Sequence, residues 1–140
     1  MSIRRFAPDP HGDYRWHEVD LLRYKQEGSA PFKDVTRQVL FAQTDQGCEL
    51  RYFEVAAGGW STLERHQHTH AVLVLRGRGS VRIGGEISAI GPNDLVTVEP
   101  MTWHQFSADA GEPLGFLCLV SKERDKPQLP TDEESGSLMR

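Results

Sequence analysis

The sequence predicts an all-β protein with a single domain, and two observations carry that prediction. Short apolar or alternating runs recur from residue 39 to residue 120, and turn signals rich in Gly, Asn and Asp separate them. Regular short strands of this kind, with no helical period among them, are typical of a β-sandwich or β-barrel. The runs are Val39–Phe41, Leu50–Val55, Ala71–Leu75, Val81–Ile83, Ile87–Ile90, Leu95–Val98, His104–Ser107 and Leu114–Val120.

Two segments of different composition flank the predicted barrel domain of residues 35–121. Residues 1–34 are polar and broken by proline and glycine, but 16–24 carry enough apolar bulk to pack against a surface. We expect an N-terminal arm that lies on the outside of the domain or against a partner subunit, with His11 and His17 as surface residues. Residues 122–140 are charged and contain Pro, Ser and Gly, which favours a loose C-terminal tail.

Composition excludes several classes of function. The net charge of the 140 residues is −4, with both signs interspersed, so no nucleic-acid-binding surface is indicated. No stretch approaches the ~18–20 apolar residues of a membrane span, and no apolar signal segment follows Met1. We therefore expect a cytoplasmic protein. Cys48 and Cys118 form no CxxC pair, and Cys118 lies in an apolar run where a core-filling role is expected.

The stretch from Glu64 to His70 is the strongest chemical signal in the chain. Glu64, His66, His68 and His70 alternate with other residues and lead into the apolar run Ala71–Leu75. In a strand, alternate side chains share one face, so these four are expected to project together. A row of imidazoles and a carboxylate fits a divalent Zn, Fe, Ni, Cu or Mn ion. The alternative is a solvated, histidine-rich edge strand.

His104 is the candidate ligand from elsewhere in the chain. It follows the run Leu95–Val98 after a short connection that contains Pro100, and no other histidine lies in the β region outside the 66–70 stretch. A barrel brings distant strands together, so the separation in sequence is no obstacle. A histidine hydrogen-bonded to the backbone is the competing interpretation.

These residues give the region from Gly59 to Phe106 a resemblance to the cupin superfamily, whose fold is a double-stranded β-helix, or jelly-roll barrel. The first cupin motif has the form G-x5-H-x-H-x3,4-E-x6-G. Aligned on Gly77, it places His70 at the glutamate, His66 at the second histidine and Glu64 at the first. His104 falls on the histidine of the second motif, G-D-x4-P-x-G-x-x-H.

The resemblance implies a metal site with the ligands Glu64, His66, His70 and His104. His68 is an additional histidine that either replaces Glu64 as a ligand or hydrogen-bonds to the site, and both are candidates for a catalytic role. Two departures affect the second motif. Asn93 replaces the glycine before Asp94, and Met101 replaces the second glycine, so the turn before His104 is expected to differ in detail.

Open coordination positions and an apolar interior predict a small-molecule site. Candidates for the substrate pocket are Tyr52, Trp103, Gln105 and Phe106. The resemblance favours a metal-dependent dioxygenase. The alternatives are a metal-dependent isomerase or lyase and a non-catalytic sensor of a small ligand. The edges of an open jelly roll and the apolar arm also predict a homodimer.

Overall fold

Strand pairing in this protein follows the alternating runs of its sequence. The computed structural model describes residues 2–23 and 32–138, and within them nearly all regular structure is one curled antiparallel sheet. The predicted all-β, cupin-barrel fold class is confirmed. The elements are β1 (Leu22–Arg23), β2 (Lys33–Phe41), β3 (Cys48–Trp60), β4 (His70–Arg76), β5 (Gly79–Ile83), β6 (Glu86–Ile90), β7 (Leu95–Val98), β8 (His104–Ala108), β9 (Leu114–Ser121) and α1 (Asp132–Leu138).

The order of the strands is β6-β5-β8-β3-β9-β4-β7. Strand β2 lies outside this order and pairs with β3 along the edge opposite β9. The last strand in sequence, β9, therefore lies between β3 and β4. Alternation along these strands sends every second side chain inward. The buried core consists of Val35, Phe53, Val55, Val72, Val74, Val81, Ile90, Val98, Phe106, Leu114, Phe116, Cys118 and Val120.

The N-terminal arm covers the outer face of β3. The rings of Tyr14 and Trp16 lie against Tyr52, with ring centroids 5.9 and 5.1 Å away, and Phe6 packs on both. The amide Nε2 of Gln38 on β2 donates to the Tyr14 carbonyl at 2.8 Å. These contacts bury an aromatic surface that β3 otherwise exposes. Of the apolar segment 16–24, Tyr24 lies outside the described residues.

The C-terminal tail is more ordered than the sequence suggested. Thr131 Oγ1 accepts from the Glu134 amide, and Glu134 Oε1 accepts from the Thr131 amide, both at 3.2 Å. This reciprocal capping box starts α1, and the pattern Thr-x-x-Glu signals it in the sequence. The Leu138 carbonyl accepts a hydrogen bond from Arg82 of β5 at 2.6 Å, which ties the helix to the sheet. No helix in the described ranges has the length and apolarity of a membrane span.

Candidate metal site and its cavity

The three buried histidines come from different local structures. His70 begins β4 and His104 begins β8, whereas His66 lies in the connection that precedes β4. The prediction that residues 64–70 form one strand is wrong, because the chain bends at residues 67 and 68. Glu64 makes an isolated antiparallel bridge with His104, and this pairing carries His66 towards the other two rings.

The three rings surround one point. One nitrogen from each of His66, His70 and His104 lies within 4.8 Å of the other two. Two nitrogens bound to one ion at about 2.1 Å each cannot be more than about 4.2 Å apart, so a small inward movement suffices. Among the described residues, Nε2 of His66 and Nε2 of His70 are buried without a hydrogen-bond partner. Unpartnered buried nitrogens that converge are what a metal site requires, and the donor set fits a divalent transition metal.

Backbone carbonyls set the orientation of two of these rings. His66 Nδ1 lies 2.7 Å from the His68 carbonyl oxygen, and His104 Nδ1 lies 2.9 Å from that of Thr102. An Nδ1–H that donates to a carbonyl leaves the Nε2 lone pair free to bind a metal. Burial lowers the pKa of His66 to about 4 and also lowers the pKa values of His70 and His104. The rings are therefore neutral at pH 7, which is the form that binds metal.

His68 packs against His66, one of the three converging histidines. Its ring stacks on His66 with centroids 3.7 Å apart and an interplanar angle of 6°. Its Nδ1 lies 2.8 Å from Oδ1 of Asp125, and Asp125 Oδ2 also accepts from the Gln67 amide at 2.8 Å. The tail thus holds the bend that brings His66 into place. His68 does not belong to the group of three converging nitrogens.

Glu64 also stands apart from that group, although it lines the same cavity. Burial raises the pKa of its carboxyl to about 7, and the positive charge of Arg51 opposes this rise. The structure therefore brings together three of the four predicted ligands and leaves Glu64 and His68 beside them.

The two residues that stand at glycine positions of the second cupin motif both adopt backbones that glycine favours. Asn93 and Met101 both have left-handed backbones, with φ of 75° and 58°. These are the positions of the two glycines in the cupin motif, where a positive φ costs a residue with a side chain about 1–2 kcal/mol. The Met101 amide donates to the His66 carbonyl at 2.7 Å, so this turn also anchors the histidine segment.

His70 and His104, together with His68, line a cavity of about 100 Å³ inside the curled sheet. Its walls combine aromatic, aliphatic and polar side chains from most of the inward-facing strands. They are Val35, Arg51, Phe53, Ser61, Thr62, Glu64, His68, His70, Val72, His104, Phe106, Phe116, Cys118, Arg124 and Pro127.

Of the four predicted pocket residues, Phe106 alone lines this cavity. Tyr52 faces the arm, because it neighbours the inward-facing Phe53 on an alternating strand, and its hydroxyl donates to Glu54 at 2.8 Å. Trp103 stacks under the guanidinium of Arg65, and Gln105 Nε2 donates to the Ser61 carbonyl. The sequence prediction selected Tyr52 and Gln105 for their polar groups. Strand alternation, however, determines which side chains face inward.

Sequence reasoning missed two buried polar residues of the cavity, Arg51 and Thr62. Arg51 shares the inward face of β3 with Phe53 and Val55 and is 7% exposed. A basic residue at an inward position of an apolar strand is the signal that could have identified it. Asp125, which holds His68, also went unrecognised, because nothing in the tail links it to the site until the chain folds.

Comparison with known proteins agrees with this geometry. Residues 51–120, which hold β4 to β8 together with all three converging histidines, match the family described as Cupin domain. This chain belongs to the cupin family.

The relatives of this cupin cover nearly its whole length. A protein from Rhodospirillum rubrum named 1-methylthio-D-xylulose 5-phosphate methylsulfurylase is 61% identical over 135 residues, which are 96% of this chain and 86% of the relative. A crystal structure of a cupin-2 domain from the same organism matches with a TM-score of 0.84 and 59% identity, covering 89% of this chain and 84% of that one. A cupin from Rhodopseudomonas palustris matches with a TM-score of 0.87 and 50% identity, covering 97% and 91%.

Proposed function

We propose that this cupin is a metal-dependent enzyme that removes the methylthio group of a 1-methylthio ketose phosphate. The observation that carries this proposal is the 61% identity to the methylsulfurylase along almost the entire chain. That identity favours the isomerase or lyase class over the dioxygenase that the sequence suggested.

The donor set supports a metal in this role. We propose that His66, His70 and His104 hold a divalent ion, which when bound supplies Lewis-acid polarisation of a carbonyl oxygen. Glu64 either completes the ligand set or exchanges a proton with the substrate. The variant Glu64→Gln separates these roles, because the first predicts loss of metal and the second predicts retained metal with lost turnover.

The cavity favours entry by one end of the substrate. A cavity of about 100 Å³ is smaller than the ~300–1,000 Å³ of pockets that enclose a whole small-molecule ligand, so only part of a pentulose phosphate enters it. The methylthio and carbonyl end enters among Phe53, Phe106 and Phe116, whose rings exclude water and suit a thioether. The phosphate remains outside the cavity near the exposed Arg124, whose guanidinium also pairs with Glu49.

The deciding experiment offers 1-methylthio-D-xylulose 5-phosphate to the protein with Mn, Fe, Co, Ni or Zn in the presence of a small thiol. We expect release of the methylthio group without oxygen uptake, and none from a His104→Ala protein. Xylulose 5-phosphate, which lacks the methylthio group, is the control substrate. Oxygen consumption that tracks turnover would favour the dioxygenase instead. Tight binding of the substrate without turnover under any metal would favour a sensor.

A further inference from the structure

Arg51 is a buried arginine in the wall of the candidate active site. It lies on the inward face of β3 at 7% exposure, and its guanidinium carbon is 4.9 Å from the centre of the Phe53 ring. Within the part of the chain that the structure describes, no carboxylate forms an ion pair with it, and its side chain makes one hydrogen bond, a long contact from Nη2 to the Cys118 sulfur at 3.8 Å. Its Nε is buried and has no hydrogen-bond partner there. The cavity wall therefore contains a positive charge and a donor that the described residues do not use.

The hydroxyl of Thr62 is a second unsatisfied group in the same wall. Thr62 follows β3, two residues before Glu64, and is 3% exposed. Its Oγ1 is buried and has no hydrogen-bond partner among the residues that the structure describes. The neighbouring Ser61 differs, because its Oγ accepts from the Phe106 amide at 2.9 Å. The unsatisfied hydroxyl is thus particular to Thr62 and not a property of the whole segment.

The two groups destabilise the protein unless a ligand satisfies them. A buried hydroxyl without a hydrogen bond and a buried charge without a partner both disfavour the folded state. Because native proteins satisfy almost all such groups, the exceptions indicate a bound molecule. Arg51 and Thr62 border the same small cavity as Glu64, His70 and His104, so a molecule that reaches the histidines also meets both groups.

Hydrogen-bonding chemistry specifies which kind of oxygen the two groups bind. A guanidinium only donates hydrogen bonds, whereas a threonine hydroxyl both donates and accepts. A ligand hydroxyl can therefore accept from Arg51 and donate its own proton to Oγ1 of Thr62, which satisfies all three groups. A ketone oxygen has no proton to donate, and it is the group that a metal ion at the histidines polarises.

We propose that Arg51 and Thr62 bind the hydroxyl on the carbon next to the substrate ketone, and that they thereby select α-hydroxy ketones. This inference rests on the proposed function, in which the carbonyl oxygen of a ketose phosphate lies at the histidines. The C3 hydroxyl of a ketose is adjacent to the C2 carbonyl, so a cavity of about 100 Å³ can hold both oxygens together. The two residues orient the substrate and set its specificity, and they take no part in bond breaking.

The test is calorimetric binding of xylulose 5-phosphate and of its 3-deoxy analogue to Zn(II)-loaded protein. Neither compound carries a methylthio group and Zn(II) has no redox chemistry, so binding is measured without release of a product. We expect wild type to bind the 3-deoxy analogue about 10–100-fold more weakly, the usual effect of losing a hydrogen bond to a charged group. Arg51→Met should bind the two ligands almost equally, and Thr62→Val should show a smaller ratio than wild type.

Matched variants separate recognition of the hydroxyl from a general loss of binding. Thr62→Ser, which keeps the hydroxyl, should retain the wild-type ratio, and Thr97→Val, at an exposed position of β7, should bind both ligands as wild type does. Arg124→Met should weaken both ligands by the same factor, because the proposed phosphate position is beside that guanidinium.

Thermal unfolding of the ligand-free protein distinguishes a binding role of Arg51 from a structural one. Arg51→Met should melt at or above the wild-type temperature, because it replaces an unpaired buried charge by an apolar side chain of similar length. A structural role of the guanidinium predicts the opposite, a lower melting temperature.

The outcomes separate this inference from the proposed function. Equal binding of the two ligands by wild type, or an unchanged ratio in both Arg51→Met and Thr62→Val, would overturn the hydroxyl subsite and leave the proposed function intact. A marked loss of stability in Arg51→Met together with an unchanged ratio in Thr62→Val would also overturn it. The expected ratios in a protein that never releases a methylthio group would support the subsite and contradict the proposed function. A wild-type protein that binds neither ketose phosphate would contradict both.

Discussion

His68 and Asp125 join the metal-binding segment to the C-terminal tail. Nδ1 of His68 lies 2.8 Å from Oδ1 of Asp125, and the same carboxylate accepts hydrogen bonds from the amides of residues 67 and 68. The bend that carries His66 to the other histidines is therefore held from a segment more than fifty residues away in sequence. Loss of this carboxylate should therefore weaken metal binding by the three converging histidines.

Asp125→Ala should weaken metal binding about 10–100-fold, the usual effect of removing a group that orients a ligand. Competition with a metal chelator measures the change in affinity. Asp132→Ala, an exposed carboxylate of the same tail, is the matched control and should bind metal as wild type does. Equal affinities of the two variants would mean that the bend holds its shape without Asp125.

His70→Ala and His104→Ala should each remove most of the bound metal, because each leaves only two of the three converging nitrogens. Elemental analysis of protein purified without added metal measures the occupancy. His11→Ala, an exposed histidine of the arm, should keep full occupancy. Full occupancy in His104→Ala would show that the site lies elsewhere.

Metal-free protein should lose stability as the pH falls from about 7 to about 5. Burial lowers the pKa values of His66, His70 and His104, that of His66 to about 4, so below about pH 6.5 these imidazoles bind more protons in the unfolded chain than in the folded one. The raised pKa of Glu64, about 7, acts in the opposite direction, but one carboxyl then opposes three imidazoles. Hydrogen bonds lower the pKa of Asp125 to about 2, chiefly the one from the Gln67 amide, so its stabilisation is lost only below about pH 4.

Urea unfolding across this range measures the slope of stability against pH. His66→Gln should flatten the slope, whereas the exposed His17→Gln should not. A slope that His66→Gln leaves unchanged would contradict the burial of a neutral imidazole at position 66.

Gly77→Ala should destabilise the protein by more than about 2 kcal/mol. Its φ is +77°, which already costs an alanine about 1–2 kcal/mol, and the new Cβ would meet the Pro113 carbonyl oxygen at 1.6 Å. Gly85→Ala is the control, since nothing lies within 4 Å of its Cβ position. Thermal unfolding compares the two variants, and similar melting temperatures would contradict the close approach of the turn after β4 to the residue before β9.

Homodimer formation remains a prediction, and the outer face of the sheet suggests where it occurs. Leu73, Leu95 and Leu119 lie on adjacent strands with 37%, 67% and 44% exposure. Leu95→Asp should convert a dimer into monomers in sedimentation velocity, and Ile87→Asp, on β6, should not. A wild-type monomer at micromolar concentrations would count against the dimer.

The alternation of apolar residues predicts the strands of the sheet, but it predicts only part of the candidate metal site. The runs around Val72, Phe53 and Phe116 alternate, so their strands and inward faces follow from the sequence. His66 joins His70 through a bend that alternation cannot predict, because the amides of residues 67 and 68 stabilise it by donating hydrogen bonds to the Asp125 carboxylate. Tyr52 was predicted to line the pocket because of its polar hydroxyl, but its neighbour Phe53 is the residue that faces inward.

Because β9 lies between β3 and β4, the sheet cannot be completed before β9 has been synthesised. During synthesis, β3 and β4 leave the ribosome long before residues 114–121, and each then has an edge without its native partner. The sheet can close only when residues 114–121 arrive, so the pairings of β9 with β3 and β4 form late and across long loops. A metal ion that reached His66, His70 and His104 before then would meet a cavity without the wall that Phe116 and Cys118 of β9 form.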